Sequence, residues 1–178
     1  MLFKSTVAVN TVCQITPALL ESMDVKGLLL DLDNTLTTHD NHKPAKGVPE
    51  WLKEMDAAGI KMIIVSNNSE ERVSPFAAML GLDFVSHSKK PLSKGFKEAR
   101  NRMDLPFENL AVVGDQIFTD ILGANLKRLK SIYVDPIEHE KTPFFKLKRR
   151  LEVPFIPKKR IEIPIFVENE TKEEQKRK

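Results

Sequence analysis

Two aspartates, Asp31 and Asp33, follow the apolar run that opens the stretch LLLDLDNTLTTHD, with one leucine between them. Carboxylates at that spacing repel each other, so an apolar run that ends on such a pair calls for a compensating positive charge. Other polar residues end other apolar runs: Ser66 and Asn67 follow MIIV, Lys89 and Lys90 precede Pro91, and Asp115 and Asp120 lie in VVGDQIFTD. Three carboxylates gathered at one place would each be pushed above the usual acidic range unless a cation sat among them. Hard oxygen donors, with no His or Cys among them, suit Mg²⁺, which takes a few carboxylates together with water and a phosphate oxygen.

The elements that must position these residues are legible between Lys26 and Pro136. Short apolar runs alternate there with amphipathic stretches, the rhythm of a parallel α/β sheet. The pattern predicts strands over 27–31, 62–66, 84–86, 111–114 and 132–134. It predicts helices over 49–58, 70–79, 93–103 and 120–126, with a short helix over 17–23 on the outside. Pro17 and Pro49 suit first helical turns, and Gly59 and Gly81 suit C-caps. Ligands gather at the carboxyl ends of the strands in an open parallel sheet, which is where all of the polar residues above fall. The expected fold class is α/β: three layers, Rossmann-like, around a central parallel sheet.

In this order, DLDNT, IIVSNN, KKP and VVGDQIFTD resemble the four motifs of the haloacid dehalogenase (HAD) superfamily phosphatases, over about residues 26–136. DLDNTL with GDQIFTDILGAN, and a helix before a KG strand, are most similar to the small subfamily IIIA phosphatases related to phosphatidylglycerophosphate phosphatase. The resemblance implies that Asp31 attacks phosphorus to form an aspartyl-phosphate, and that Asp33 acts as general acid and then base. It implies Mg²⁺ held by Asp31, the carbonyl of Asp33 and Asp115, with Asp120 supporting the metal or the lysine. Ser66, the amide of Asn67 and Thr35 would bind the substrate phosphate, and Lys90 would neutralise it, with Lys89 and then Lys94 as the other candidates. An acid at Asp33 favours a phosphatase over a dehalogenase. Many relatives have Gly where this chain has Asn34; Asn tolerates a left-handed backbone, so the turn can survive.

Each residue also has an ordinary reading. Asp33 and Asn34 can be turn formers, Ser66 to Asn68 helix caps, and Lys90 a solvated lysine. The recurrence of polar groups at successive strand ends is what favours a site. His39 and His42 can touch substrate or remain solvated, while Cys13 and Trp51 read as packing residues.

Composition narrows the setting. The 178 residues, 41% hydrophobic and 30% charged, describe a soluble globular chain. A single cysteine excludes an internal disulfide and fits a reducing compartment. No apolar run approaches the roughly 20 residues of a bilayer span, and the first residues lack the apolar centre of a signal peptide. A cytoplasmic protein is expected, with peripheral contact at the inner membrane face.

The intervals from Asp33 to Ser66 and from Ser66 to Lys90 are too short for a cap domain. An open site suits a phosphate on something large, such as a phospholipid head group, unless an oligomer closes it. The basic residues cluster: Lys141, Lys146, Lys148, Arg149, Arg150, Lys158, Lys159 and Arg160 stand against Glu152 alone, a surplus larger than the chain's net +3. Phe144, Phe145, Leu147, Leu151, Phe155 and Ile156 interleave with them, a composition suited to an anionic membrane between Phe144 and Arg160. The plainer reading docks these hydrophobes on the sheet and leaves the cations in water. No nucleic-acid motif accompanies the charge.

The expected organisation is a phosphatase domain over 1–140, a basic apolar extension over 141–167 and a disordered charged tail over 168–178. The expected function is Mg²⁺-dependent hydrolysis of phosphatidylglycerophosphate in phosphatidylglycerol and cardiolipin synthesis. The alternatives are a soluble sugar- or nucleotide-phosphate phosphatase capped by oligomerisation, and a non-catalytic phospholipid-binding module.

Overall fold

The run Gly27–Leu30 has no polar alternate, as a strand covered on both faces requires. In the computed structural model, which describes residues 1–161, it is strand β2 at the centre of a six-stranded, all-parallel sheet. The chain runs β1 (Val7–Val9), α1 (Pro17–Ser22), β2, α2 (Val48–Ala57), β3 (Lys61–Val65) and α3 (Glu70–Leu80). It continues through β4 (Asp83–Val85), α4 (Ser93–Met103), β5 (Leu110–Gly114), α5 (Leu122–Leu126), β6 (Lys130–Val134) and α6 (Pro143–Glu152). The strand order is β1-β6-β5-β2-β3-β4, with Leu30 in register with Ile64 and Val113.

Alternation along β2 divides the core into two layers. Leu28 and Leu30 pack with Trp51 and Met55 of α2 and Phe76 of α3, whereas Leu29 packs with Phe96, Ala99 and Met103 of α4. This is the expected three-layer α/β fold. Trp51 is buried as expected, and its Nε1–H donates to the Ile15 carbonyl at 2.8 Å. Only α2 lies between β2 and β3, and only α3 and β4 between β3 and Lys90, so no cap domain interrupts the described residues. None of their helices is long and apolar enough to cross a membrane.

Three features differ from the expectations. β1 was not anticipated: it has three residues, and its partner is β6, with Thr6 N–H donating to Ser131 O at 2.9 Å. Cys13 is exposed rather than packed, because the 3-10 turn Val12–Gln14 sends Val12 and Gln14 inward and the residue between them out. The helix expected over 120–126 begins earlier, in a π-helical turn Ile117–Ile121 that precedes α5. The apolar part of the extension beyond residue 161 and the charged tail lie outside the described residues.

Candidate active site

The chain leaves β2 toward β3 and β4 on one side, and leaves β5 toward β6 on the other. That reversal opens a crevice beyond the carboxyl ends of the two adjacent strands, where ligands of open α/β sheets bind. Asp31 extends β2 by one residue, its N–H donating to Val113 O at 2.9 Å, and Asp115 follows β5 directly. Asp120 returns to the same point from the π-helical turn. It lies so close to the β5 backbone that a Cβ on Gly114 would collide with its carboxyl group.

Lys90 sits between these acids. Its Nζ is 2.5 Å from Asp31 Oδ1 and 2.7 Å from Asp120 Oδ1, with the side chain 3% exposed. Burial by itself would lower the ammonium's pKa; the charges of Asp120 and Asp31 overcome it and hold the group well above its ordinary value. Burial also raises the Asp120 carboxyl, and the nearby Asp31 adds to the effect against the pull of Lys90. Two carboxylates thus divide one ammonium in a buried site, so the cation is held firmly and negative charge is left in excess. Asp31, Asp115 and Asp120 each bring a carboxylate oxygen within 4.8 Å of the others. Asp120 Oδ1 meets Lys90 as an ion pair but has no aligned hydrogen-bond donor. Oxygen donors only, with three carboxylates gathered around one ammonium, fit a hard divalent cation such as Mg²⁺.

The loop after β4 is held by Asn67. Its Oδ1 accepts from Lys90 N–H at 2.7 Å and Ser88 Oγ–H at 2.8 Å, and its Nδ2 donates to Lys90 O at 3.1 Å. Lys89 and Lys94 are exposed, so of the three lysines Lys90 is the one inside. Ser66, buried at the end of β3, accepts from Asn68 N–H at 3.2 Å. Asp33 is turned to the side of the crevice, where Arg72 of α3 meets its Oδ1 at 2.8 Å and Asn68 donates to its Oδ2. Thr35 does not line the cavity; its hydroxyl lies 3.3 Å from Asp31 Oδ2 and 3.5 Å from Asp115 Oδ1.

Asn34 adopts φ 62°, the left-handed conformation expected of it. Its side chain does what Gly cannot: Oδ1 accepts from Glu138 N–H at 3.2 Å, and Nδ2 lies 3.4 Å from Glu140 Oε1. The first motif is thereby tied to the segment leading into α6.

A cavity of about 300 Å³ collects Asp31, Asp33, His39, Ser66, Asn67, Asn68, Lys90, Gln116, Thr119, Phe145 and Lys148. A larger, mostly apolar cavity of about 610 Å³ near Cys13 and Val48 gathers no such set of charges, so chemistry rather than size selects the site. Sequence reasoning missed Arg72, Asn68, Gln116, Thr119 and the contribution of α6. Arg149 reaches from that helix to both the side chain and the carbonyl of Asp115, the latter at 2.6 Å. It also pairs with Glu140 at 3.1 Å and Glu152 at 3.2 Å. Nothing local in KLKRR distinguishes Arg149 from its neighbours. His39 lines the cavity with Nε2 3.1 Å from Glu140 Oε2, whereas His42 is exposed.

Residues 36–126 match the family described as "haloacid dehalogenase-like hydrolase", a stretch containing Ser66, Lys90, Asp115 and Asp120. The chain is 39% identical over 144 residues to the Bacillus subtilis (strain 168) protein described as "Probable phosphatase YqeG", covering 81% of this chain and 84% of that one. It is 26% identical over 143 residues to "Phosphatidylglycerophosphate phosphatase 1, chloroplastic" of Chlamydomonas reinhardtii, covering 75% of this chain and 53%, about half, of the relative. Among solved structures it resembles an uncharacterized Listeria monocytogenes serotype 4b protein (TM-score 0.55, 21% identity, 67% of this chain and 85% of the other). A Thermotoga maritima 4-nitrophenylphosphatase is similar at TM-score 0.55 and 12% identity, over 68% of this chain and 89% of that one. These two likenesses concern the fold. On the family match and the 39% identity, the chain belongs to the haloacid dehalogenase-like hydrolases.

Proposed function

We propose that this hydrolase is a Mg²⁺-dependent phosphomonoesterase that works through an aspartyl-phosphate on Asp31, with a phosphatidylglycerophosphate-like lipid head group as substrate. The chain is a phosphatase of the HAD superfamily; the route and the substrate are our reading. The observation that carries it is Lys90 held between Asp31 and Asp120 beside Asp115. That arrangement is negative in excess, and a divalent cation arriving with a phosphate supplies what it lacks.

In this reading an Asp31 oxygen attacks phosphorus while the bond to the head-group oxygen breaks, and Asp33 gives that oxygen a proton. Water then attacks the aspartyl-phosphate, its proton passes to Asp33, and the bond to Asp31 breaks to release phosphate. Arg72 and Asn68 fix the Asp33 carboxyl for both transfers. Lys90, Ser66 and the Asn67 amide take the phosphoryl oxygens, since phosphoryl transfer depends mainly on positioning and charge stabilisation. Asp31, the Asp33 carbonyl and Asp115 would hold Mg²⁺, which would neutralise phosphoryl charge.

The lipid assignment is supported by the lack of an inserted cap domain among the described residues, by Phe145 and Lys148 at the wall of the site, and by the Chlamydomonas relative. Such a substrate sits in a bilayer, and the proposed contact is peripheral, from the cytoplasmic side. The test is phosphate release from phosphatidylglycerophosphate in mixed micelles beside a panel of sugar phosphates and nucleotides, with and without Mg²⁺, and with Asp31→Asn as control. Metal-dependent turnover favouring the lipid supports the reading. Equal or better turnover of a soluble ester removes the lipid, and no turnover by a folded protein removes the phosphomonoesterase route.

A further inference from the structure

Helix α6 is amphipathic in the opposite sense to a helix docked on its own domain. Its inward face carries Phe145, Lys148, Arg149 and Glu152, spaced i, i+3, i+4 and i+7. Glu152, 1% exposed, accepts from Phe118 N–H at 2.9 Å, Lys148 bonds Gln116, and the Phe145 ring lies 5.9 Å from that of His39. The outward face carries Phe144, Leu147 and Leu151, exposed by 72, 59 and 57%. The plainer sequence expectation, hydrophobes on the sheet and cations in water, holds for Phe155 and Ile156 and for Lys146, Arg150, Lys158 and Lys159, but not for Arg149, which is paired inside, or for Phe144, Leu147 and Leu151, which face out.

Large apolar side chains left together in water mark a surface meant for a partner. The charges around them say which kind. Lys146 and Arg150 are exposed on the same helix, and exposed Lys158 and Lys159 follow it. The one acid of α6, Glu152, is buried on the opposite side. A second copy of this face would bring positive charge against positive charge. A surface both apolar and anionic complements it, and an acidic bilayer is such a surface.

We propose that the outer face of α6 docks on anionic lipid bilayers, so that the helix whose inner face walls the catalytic cavity also seats that cavity at the head groups. This names the partner of the site proposed above and rests on that reading only for what the site does once seated.

The experiment is flotation of the full chain with vesicles containing about 30% phosphatidylglycerol in phosphatidylcholine, against phosphatidylcholine alone. Two variants accompany it: Phe144→Ser/Leu147→Ser/Leu151→Ser, and Lys146→Glu/Arg150→Glu. None of these side chains lines the cavity, so turnover of a soluble aryl phosphate should remain within about twofold and report an intact fold. The wild type should bind the acidic vesicles, and each variant should bind them roughly tenfold more weakly or worse. Equal binding by wild type and variants, or no binding by the wild type, overturns the proposal. So does a wild-type dimer that the triple variant dissolves without any vesicle binding. Vesicle binding without turnover of any ester would leave the docking face standing and remove the function proposed above; turnover without vesicle binding would do the reverse.

Discussion

The carboxyl edge of the sheet and helix α6 treat charge and hydrophobe in opposite ways to those expected of a protein surface. At the sheet edge, Asp31, Asp115, Asp120 and Lys90 are buried, while on α6 Phe144, Leu147 and Leu151 are exposed. The difference follows from partners. A buried ion costs several kcal/mol unless it is paired, and each charge at the sheet edge has a partner within the crevice. α6 takes its place through the same currency of interaction, with Arg149 meeting Asp115, Glu140 and Glu152, so its apolar side is left over. Charge complementarity, and not hydrophobicity, decides which side of α6 faces in.

The sharpest separation of the two regions is Asp31→Asn. It should cut phosphate release by at least about a thousandfold while the circular dichroism and the vesicle binding of α6 stay as they were. Loss of the fold along with turnover would mean that the sheet-edge charges are structural first.

Next is Lys90→Met, which leaves Asp31 and Asp120 facing each other in a buried site. It should cost about 3–5 kcal/mol in urea unfolding, and adding Asp120→Asn should recover part of that. If the double variant is no more stable than the single, the ammonium is not what makes this burial tolerable.

Arg149→Met tests the other region. Without the guanidinium, about 2–4 kcal/mol of local stability should go, and hydrogen exchange should show α6 amides unprotected while β2 and β5 stay protected. Unchanged protection of α6 would show that apolar contacts hold the helix and would break the comparison.

Tyr133, beneath Arg160 where the extension returns to β6, shows a neutral polar group buried beside the charged ones. Burial pushes its phenol from the ordinary 10 up to about 12, with Asp135 adding to the shift and Arg160 opposing it. The native state therefore keeps a proton that the unfolded chain gives up. The stability this contributes is whole below about pH 10 and is lost as pH rises through about 12. Urea midpoints should fall across that interval in the wild type and less steeply in Tyr133→Phe. The smallest effect belongs to the triple serine variant of the α6 outer face, within about 0.5 kcal/mol of wild type in urea, because these side chains are mostly exposed and, among the described residues, Phe144 meets an aromatic ring only at its neighbour Phe145.

The sequence by itself determined the parts that depend on neighbours along the chain. Apolar runs without polar alternates are buried parallel strands, and the first polar residue after each lies at a carboxyl end. Asp31, Ser66 and Asp115 could therefore be gathered before any coordinates, and Lys90 and Asp120 by their motifs. Asn34 showed its left-handed turn through its residue type, but not its bonds to Glu138 and Glu140. What only the tertiary structure decided depends on partners far off in sequence. β1 exists because β6 pairs with it, Arg72 matters because α3 brings it to Asp33, and Cys13 faces out because its neighbours are drawn in. The periodicity of α6 reveals two faces but not which is inside; that was settled by acids at Asp115 and Glu140, whose charge the helix meets only when the chain has folded.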